Sequence, residues 1–457
     1  MTAVDPDRRS SVTVEPRPGT PQPPSPPDTT DDSAIYDDPP NQGLGAAGRT
    51  FDSLRDPNFR WFFAAMFGHF TSMNIQMFIR GWLVFELTGS FAALGVMSLA
   101  NGVSGLGLSL VGGVIADRVR QKKHVVQVGQ FVNSLNALWI AVMITAGMLQ
   151  FEHLVAAAVI QGGVNSLMMP ARQAMIPDVV GMDRLMNALA LNTSGMNTSR
   201  LLMPGIAGWA VGAIGGEGVS AAQYVYYAMA ALYLWSVVLL FKVRVADHVS
   251  ETIAAKGIRP AVNEVIDGFK YIARTPLIRM LLGYNFLIVL FSMTYFMLLP
   301  GFAKEVLGAG PERLGLLTSV SGVGALAGSL AIASLENRRR GKILILSSLL
   351  LGIALIAFAW STSYVLSLGI IVVVGVGQAG RMSLSNVLIQ AYVDDDYRGR
   401  VMSVYMMEFS IMSLGIFLIG ILANIIGPQL AVGGSAVALV VLALYLWTMV
   451  PNYKNLD

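Results

Sequence analysis

The sequence predicts an all-α membrane protein in which about twelve transmembrane helices form two parallel six-helix repeats. Three observations carry that expectation. The 457 residues are 54% hydrophobic and only 13% charged, with mean hydropathy +0.59, whereas a soluble domain carries about 25% charged residues. From Trp61 onward, apolar stretches near 20 residues long follow one another, each able at about 1.5 Å per residue to cross a hydrocarbon core of about 30 Å. Loop motifs of the first half also recur, in order, in the second.

The chain begins with a different composition. Residues 1–50 hold half of the 20 prolines, mixed with Asp, Ser and Thr, in runs such as PRPGTPQPPSPPD. Such a segment cannot bury enough surface to fold, so a disordered, solvated tail is expected. It lacks the apolar core of a secretory signal peptide, and the first hydrophobic helix is expected to direct insertion.

The expected spans of the first half are 60–86, 92–116, 123–148, 154–175, 188–214 and 221–242, giving an N-terminal bundle over 51–242. A linker at 243–277 contains VNEVIDGFKYIAR, which reads as a short amphipathic helix at the interface. The second bundle, 278–457, has spans at 278–303, 314–335, 342–360, 364–390, 400–425 and 429–450. Polar residues and glycines interrupt the fifth and eleventh.

Charge sets the orientation. One set of loops carries Arg118, Arg120, Lys122 and Lys123, then Lys242 through Arg279, then Arg338–Arg340 with Lys342, then Arg398 and Arg400, while the opposite loops offer Lys304 and Arg313. The positive-inside rule then places both termini in the cytoplasm of a multi-pass plasma-membrane (prokaryotic inner-membrane) protein.

Three loops repeat. RDPNFR at 55–60 matches RTPLIR at 274–279 at an offset of 219; Lys122-Lys123 matches Arg338-Arg339, and Arg184-Leu-Met-Asn matches Arg400-Val-Met-Ser, each at 216. Two six-helix halves of like orientation joined by a cytoplasmic linker imply parallel repeats around a central site.

The loop GGVIADRVRQKK, Gly112–Lys123, resembles the signature loop of the major facilitator superfamily, matching it at Gly113, Asp117, Arg118, Lys122 and Lys123. Arg120 stands where that pattern usually has a second glycine. Glycine permits close helix approach, and a carboxylate suits a helix amino terminus. The resemblance implies the major facilitator fold and a conformational latch between Asp117 and the start of the eleventh span near Arg400. A loop that only sets topology is the plainer reading.

SGMNTSRLLMPGIAGWAVG in the fifth span resembles the superfamily's antiporter motif, with Gly195, Pro204, Gly205 and Gly208 serving close helix packing and a bend. Met203 replaces the glycine expected before the proline, and packing without bearing on transport direction is the other reading. RGWLVFELTGS at 80–90, RQAMIPDVV at 172–180 and DDDYRGRVMSVY at 394–405 are similar to the branch that includes bacterial enterobactin exporters, the transmembrane secretion effector type. The fourth span keeps Gln161 and Gly162 of the proton-linked motif but has Ala158 in place of its arginine.

Charges within the spans are the remaining pointers, since each costs about 2.5–3.5 kcal/mol at a helix centre unless paired or facing water. These are Arg80, Arg200, Arg381 and Glu408. Arg381 and Glu408 lie at similar depth on consecutive spans, so an ion pair is expected, structural, gating or substrate-contacting. Arg80 is close enough to the outer end to snorkel. Arg200 and the polar residues Gln161, Asn165 and Asn197 either line a cavity or hold helices together. If the arginines face the cavity, it suits an anionic or zwitterionic solute, with Glu408 the main proton carrier and Glu86 a second. Methionine clusters such as Met168-Met169 and Met406-Met407 suit a flexible hydrophobic cavity and equally suit membrane-core filler.

Function classes narrow accordingly. With no cysteine, and with His69, His124, His153 and His248 forming no ligand-spaced pair, no metal site or cofactor is expected. No phosphate-binding loop and no nucleophile–base constellation is visible, so the chain is not expected to be an enzyme or to bind nucleic acid. The expected function is secondary active export of an amphipathic, siderophore-like or drug-like organic solute, by proton antiport, with the lipid bilayer as solvent and no protein partner evident. A proton-coupled importer or lipid transporter of the same fold, or a non-transporting receptor recruiting partners through the proline-rich tail, are the alternatives.

Overall fold

Capping residues set where the helices start and stop. Asp56 accepts a hydrogen bond from the Asn58 backbone N–H at 2.7 Å ahead of Pro57, which opens α1 (Pro57–Thr88), and Gly89 at φ 59° closes it. Proline at the first turn, where its missing N–H removes no helical bond, likewise opens α8, α10 and α15 below.

The computed structural model describes residues 52–457 apart from 119–120, 182, 215–217, 246–257, 336–338, 455 and 457, and without the side chains of 106, 108–118, 258–265 and 451–452. The expected disordered tail lies outside the described residues. By its backbone contacts Thr50–Asp457 is one compact unit.

After α1 come α2 (Phe91–Arg118), α3 (Lys122–Thr145), α4 (Phe151–Val180), α5 (Leu185–Ala213) and α6 (Ala222–Lys242). The amphipathic α7 (Ile258–Arg274) follows, where the linker helix was expected. The second half holds α8 (Pro276–Ser292), α9 (Thr294–Glu305), α10 (Pro311–Ala333), α11 (Arg340–Trp360), α12 (Tyr364–Tyr392), α13 (Arg398–Tyr405), α14 (Glu408–Ile426), α15 (Pro428–Met449) and the short α16 (Pro451–Lys454).

Nine segments among the described residues are long and apolar enough to cross a membrane: α3, α4, α6, α8–α9, α10, α11, α12, α13–α14 and α15. The other three expected spans are helices of 32, 28 and 29 residues, α1, α2 and α5. Polar residues dilute α1 and α5; α1 turns its own inward, burying His69, Gln76 and Arg80. Of α2, the stretch Phe91–Gly105 is apolar.

Two spans are broken, the seventh, expected to be continuous, and the eleventh, expected to be interrupted. The seventh is interrupted at Met293, between α8 and α9, and the eleventh at Met406-Met407, between α13 and α14. The fifth, whose polar residues suggested an interruption, runs as one helix.

In the first half, α1 packs on α5 and α6, α2 on α4, and α3 on α4 and α6; in the second, α12 packs on α10 and α11, and α11 on α15. The halves meet through α2 with α14 and α5 with α10. Helix α7 lies on α13, where the Tyr271 and Tyr397 rings stack at 4.3 Å.

Candidate functional site

Among the described residues, each half buries one arginine in a polar network that joins its first and fourth spans. In the first half, Arg80 of α1 is 7% exposed and its Nη1 donates to Gln161 Oε1 of α4 at 2.5 Å. Gln161 Nε2 donates in turn to Gln76 Oε1, one turn before Arg80, and the Tyr233 hydroxyl of α6 donates to the same oxygen at 3.0 Å. Arg80 is thus held inside the bundle and does not snorkel. Its described partners are neutral, and its Nε has none.

The second half differs by one carboxylate. Arg381 of α12, 1% exposed, donates from Nη1 to Asn285 Oδ1 of α8 at 3.2 Å, and Asn285 Nδ2 donates to Glu408 Oε2 at 3.0 Å. Arg381 Nη1 and Glu408 Oε2 lie 3.8 Å apart, so the expected ion pair is present, bridged by an asparagine. The break at Met406-Met407 makes Glu408 the first residue of α14, where the helix dipole favours a carboxylate.

Asn285, Gln76 and Tyr233 were not singled out from the sequence, because one amide or phenol in an apolar run reads as interhelical glue. A repeat does mark the two networks: Gln161-x-Gly-x-x-Ser-Leu recurs as Gln378-x-Gly-x-x-Ser-Leu at an offset of 217. Both glutamines reach the first span of their half, Gln378 Nε2 lying 3.1 Å from Met293 Sδ at the α8–α9 break.

The remaining sequence-selected residues divide three ways. Asn197 and Arg200 are exposed on α5, with Thr193 and Ser194 beside them on the same helix; a polar, charged face of a span suits a water-filled cavity rather than lipid. Asn165 accepts from Asn133 Nδ2 at 3.5 Å, between α4 and α3. Gly195 meets Phe63 and Phe67 of α1, while Gly205 and Gly208 face α10.

Of the expected latch, the side chains of Gly113, Asp117 and Arg118 lie outside the described residues. Lys122 pairs with Asp178 at the end of α4 at 3.0 Å, and Lys123 Nζ donates at 3.0 Å to the carbonyl of Val243, which follows α6, so neither reaches the second half. Arg400 lies with its guanidinium 5.3 Å from the Tyr397 ring centre and its Cβ against Gly268 of α7.

Contacts between the halves gather where α1 ends and α2 begins, the Thr88 end. Glu86 and Lys304 pair at 2.6 Å; Asn424 Oδ1 accepts from the Phe91 backbone N–H at 2.8 Å while its Nδ2 donates to Ser90 Oγ at 2.9 Å. Two seams of small residues run inward from there. In one, a Cβ at Gly315 would lie 2.5 Å from the Pro204 carbonyl oxygen, and one at Gly208 would collide with that of Pro311. In the other, a Cβ at Gly420 would lie 2.6 Å from the Phe91 carbonyl oxygen and one at Gly95 2.8 Å from Phe417 Cα. Gly95 and Gly102 of α2 stand 220 positions before Gly315 and Gly322 of α10, so the seams use matching positions of the two halves.

Comparison with known proteins gives this architecture a context. Residues 48–457 match the model of a family described as transmembrane secretion effector. The chain is 24% identical over 372 residues to the staphyloferrin A transporter of Staphylococcus aureus, covering 80% of this chain and 90% of that one. It is 23% identical over 370 residues to the uncharacterized MFS-type transporter YfiS of Bacillus subtilis, covering 76% and 82%. Among solved structures, the nucleoside transporter NupG is similar at TM-score 0.69 and 15% identity, over 86% of this chain and 99% of that one. A bacterial homolog of the human lysosomal transporter Spinster, in an inward-facing and occupied conformation, matches at TM-score 0.69 and 12% identity, over 88% and 98%.

Proposed function

The chain belongs to the transmembrane secretion effector family, has the major facilitator fold and is a secondary transporter, and from that premise we propose that it exports an amphipathic organic anion by alternating access, driven by inward proton flow. The observation that carries this reading is the unequal balance of buried charge. Arg381 has a carboxylate partner in Glu408, whereas Arg80 is held by neutral amides, and Glu408 is the one buried carboxylate among the described spans. With Arg200 exposed on α5, the polar interior is net positive and suits a carboxylate-bearing solute. The likeness to a staphyloferrin A transporter supports a siderophore-like one.

With the basic loops in the cytoplasm, the Thr88 end faces outward and both termini face inward. The conformer is then closed outside, and Asn197 and Arg200 are reached from the cytoplasm, as loading for export requires. The two six-helix halves, 51–242 and 278–457, rock about the site between them, with the Gly113–Lys123 loop biasing the equilibrium through Asp117. In the cycle, the solute leaves while Glu408 is ionised and neutralises Arg381. The return step carries the proton on Glu408, leaving Arg381 a buried cation without a counter-charge; that state is costly, and the proton gradient drives it.

The same pair of residues also serves the reverse direction. If the solute's carboxylate binds Arg381 when Glu408 is protonated, solute and proton travel together and the protein is an importer. The full-length protein in proteoliposomes with a pH-sensitive dye separates the two, using anionic, cationic and neutral amphipathic compounds. Anionic compounds alone are expected to move protons against the solute, a signal lost with a protonophore. Glu408→Gln should abolish the dependence on pH gradient while solute exchange without a gradient continues. Protons moving with the solute would replace export by import, and a response only to cationic compounds would remove the anion assignment.

A further inference from the structure

Away from the Arg80 and Arg381 networks, the basic-loop end of the bundle gathers two lysines on one indole ring. The end of the chain folds back onto the start of α11: the Gly341 backbone N–H donates to the Leu456 carbonyl at 2.9 Å, and only glycine at 341 leaves room for the Tyr453 carbonyl. Tyr453 is fully buried by this contact. The fold-back brings Lys454 beside Lys342, with their ammonium nitrogens 4.8 Å and 5.8 Å from the centre of the Trp447 ring. Among the described residues no carboxylate pairs with either lysine. Residues 336–342 and 450–457 together hold five basic and two acidic side chains. An indole attracts each cation but neutralises neither, so the packing holds two like charges together with no counter-ion among the described residues.

The surface next to these lysines is apolar. Lys342 heads a face of α11 continued by Leu346, Leu350 and Ile353, all exposed, and α15, packed against α11, adds exposed Val441 and Leu444. Positive charge at the head of an exposed hydrocarbon-compatible wall fits an anion that carries its own acyl chains. We propose that Lys342, Lys454 and Trp447 hold the headgroup phosphate of an anionic phospholipid, one of whose acyl chains lies along the Leu346–Ile353 face. The ammonium groups take the phosphate oxygens, and the indole sits at the headgroup level where tryptophan is favoured.

The test uses the full chain in nanodiscs of phosphatidylcholine containing phosphatidylglycerol, with bromine on the acyl chains of one lipid or the other. Trp447 emission is isolated as the difference between the wild type and Trp447→Phe. Brominated phosphatidylglycerol is expected to quench it at a lower mole fraction than brominated phosphatidylcholine. Lys342→Gln and Lys454→Gln should each weaken that preference roughly fivefold, and the double variant should erase it while solute exchange continues. Should the double variant fail to fold, the single variants carry the test. Equal quenching by the two lipids, or a preference that survives the substitutions, overturns the proposal. Loss of the preference on adding free glycerol phosphate would assign the site to a soluble anion and overturn it as well.

Discussion

Arg381 and Glu408 matter to each other more than to stability. A buried ion pair gains little over apolar side chains of similar size, but removing one partner strands the other charge in a medium that solvates it poorly. Arg381→Leu is therefore expected to destabilise the protein by about 3–5 kcal/mol, and Arg381→Leu with Glu408→Leu to recover most of that loss while losing proton coupling. Thermal unfolding of the three proteins in one detergent checks this; a double variant as unstable as the single would mean that the pair itself holds α12 against α14. The pair was legible in the sequence because charges are rare within apolar spans. Asn285, which contacts both partners, was not, since nothing in LLGYNFLIV separates a bridging asparagine from one that ties helices together. Arg80 was visible as a charge but not its depth: proximity to a helix end suggested snorkelling, and only the approach of α4 and α6 sets Gln161 and the Gln76–Tyr233 pair around it.

Helices α5 and α10, and α2 and α14, close the Thr88 end by backbone approach, and glycine makes that approach possible. Valine at Gly208 or Gly315 would push the seam apart, because the atoms facing both positions are backbone and cannot turn aside. Each substitution should shift the population toward a conformer open at that end, read as increased labelling of a cysteine placed at Ser319, against which Gly205 packs. The chain has no cysteine of its own to interfere. The complementary lock is Ser90→Cys with Asn424→Cys, across a contact of 2.9 Å in the native protein: a short thiol cross-linker should stop transport and reductant restore it. Transport that continues when cross-linked would show that this end need not open. The glycine motif of α5 was readable as a packing surface, but its partner was not, because α10 lies more than a hundred residues away and pairs with it only after both halves fold. The break at Met293 was hidden, having neither proline nor glycine beside it, whereas the polar residues and glycines of the eleventh span announced an interruption without placing it at Met406-Met407.

The whole molecule follows from composition and repetition more directly than any single element. Twelve segments of membrane-crossing length, basic loops on one side and offsets of 216–219 between matching loops already define two six-helix halves, and the networks and seams add offsets of 217 and 220 that only contact geometry picks out. What one sequence does not specify is which end is closed, because both conformers of an alternating-access protein share every span. The family match begins at residue 48, at the foot of the proline-rich tail. If transport resides in the two halves alone, a chain beginning near residue 48 should insert and move solute at a rate close to that of the full protein in the same proteoliposomes. Were the tail instead the working part of a receptor, truncation would abolish the cellular phenotype, and the full-length protein would bind solute without moving it. Comparing solute flux, solute binding and phenotype for the two chains separates these outcomes. Undiminished flux from the shorter chain confines the machinery to residues 48–457, whereas binding without flux in both would remove the protein from the transporters despite its fold.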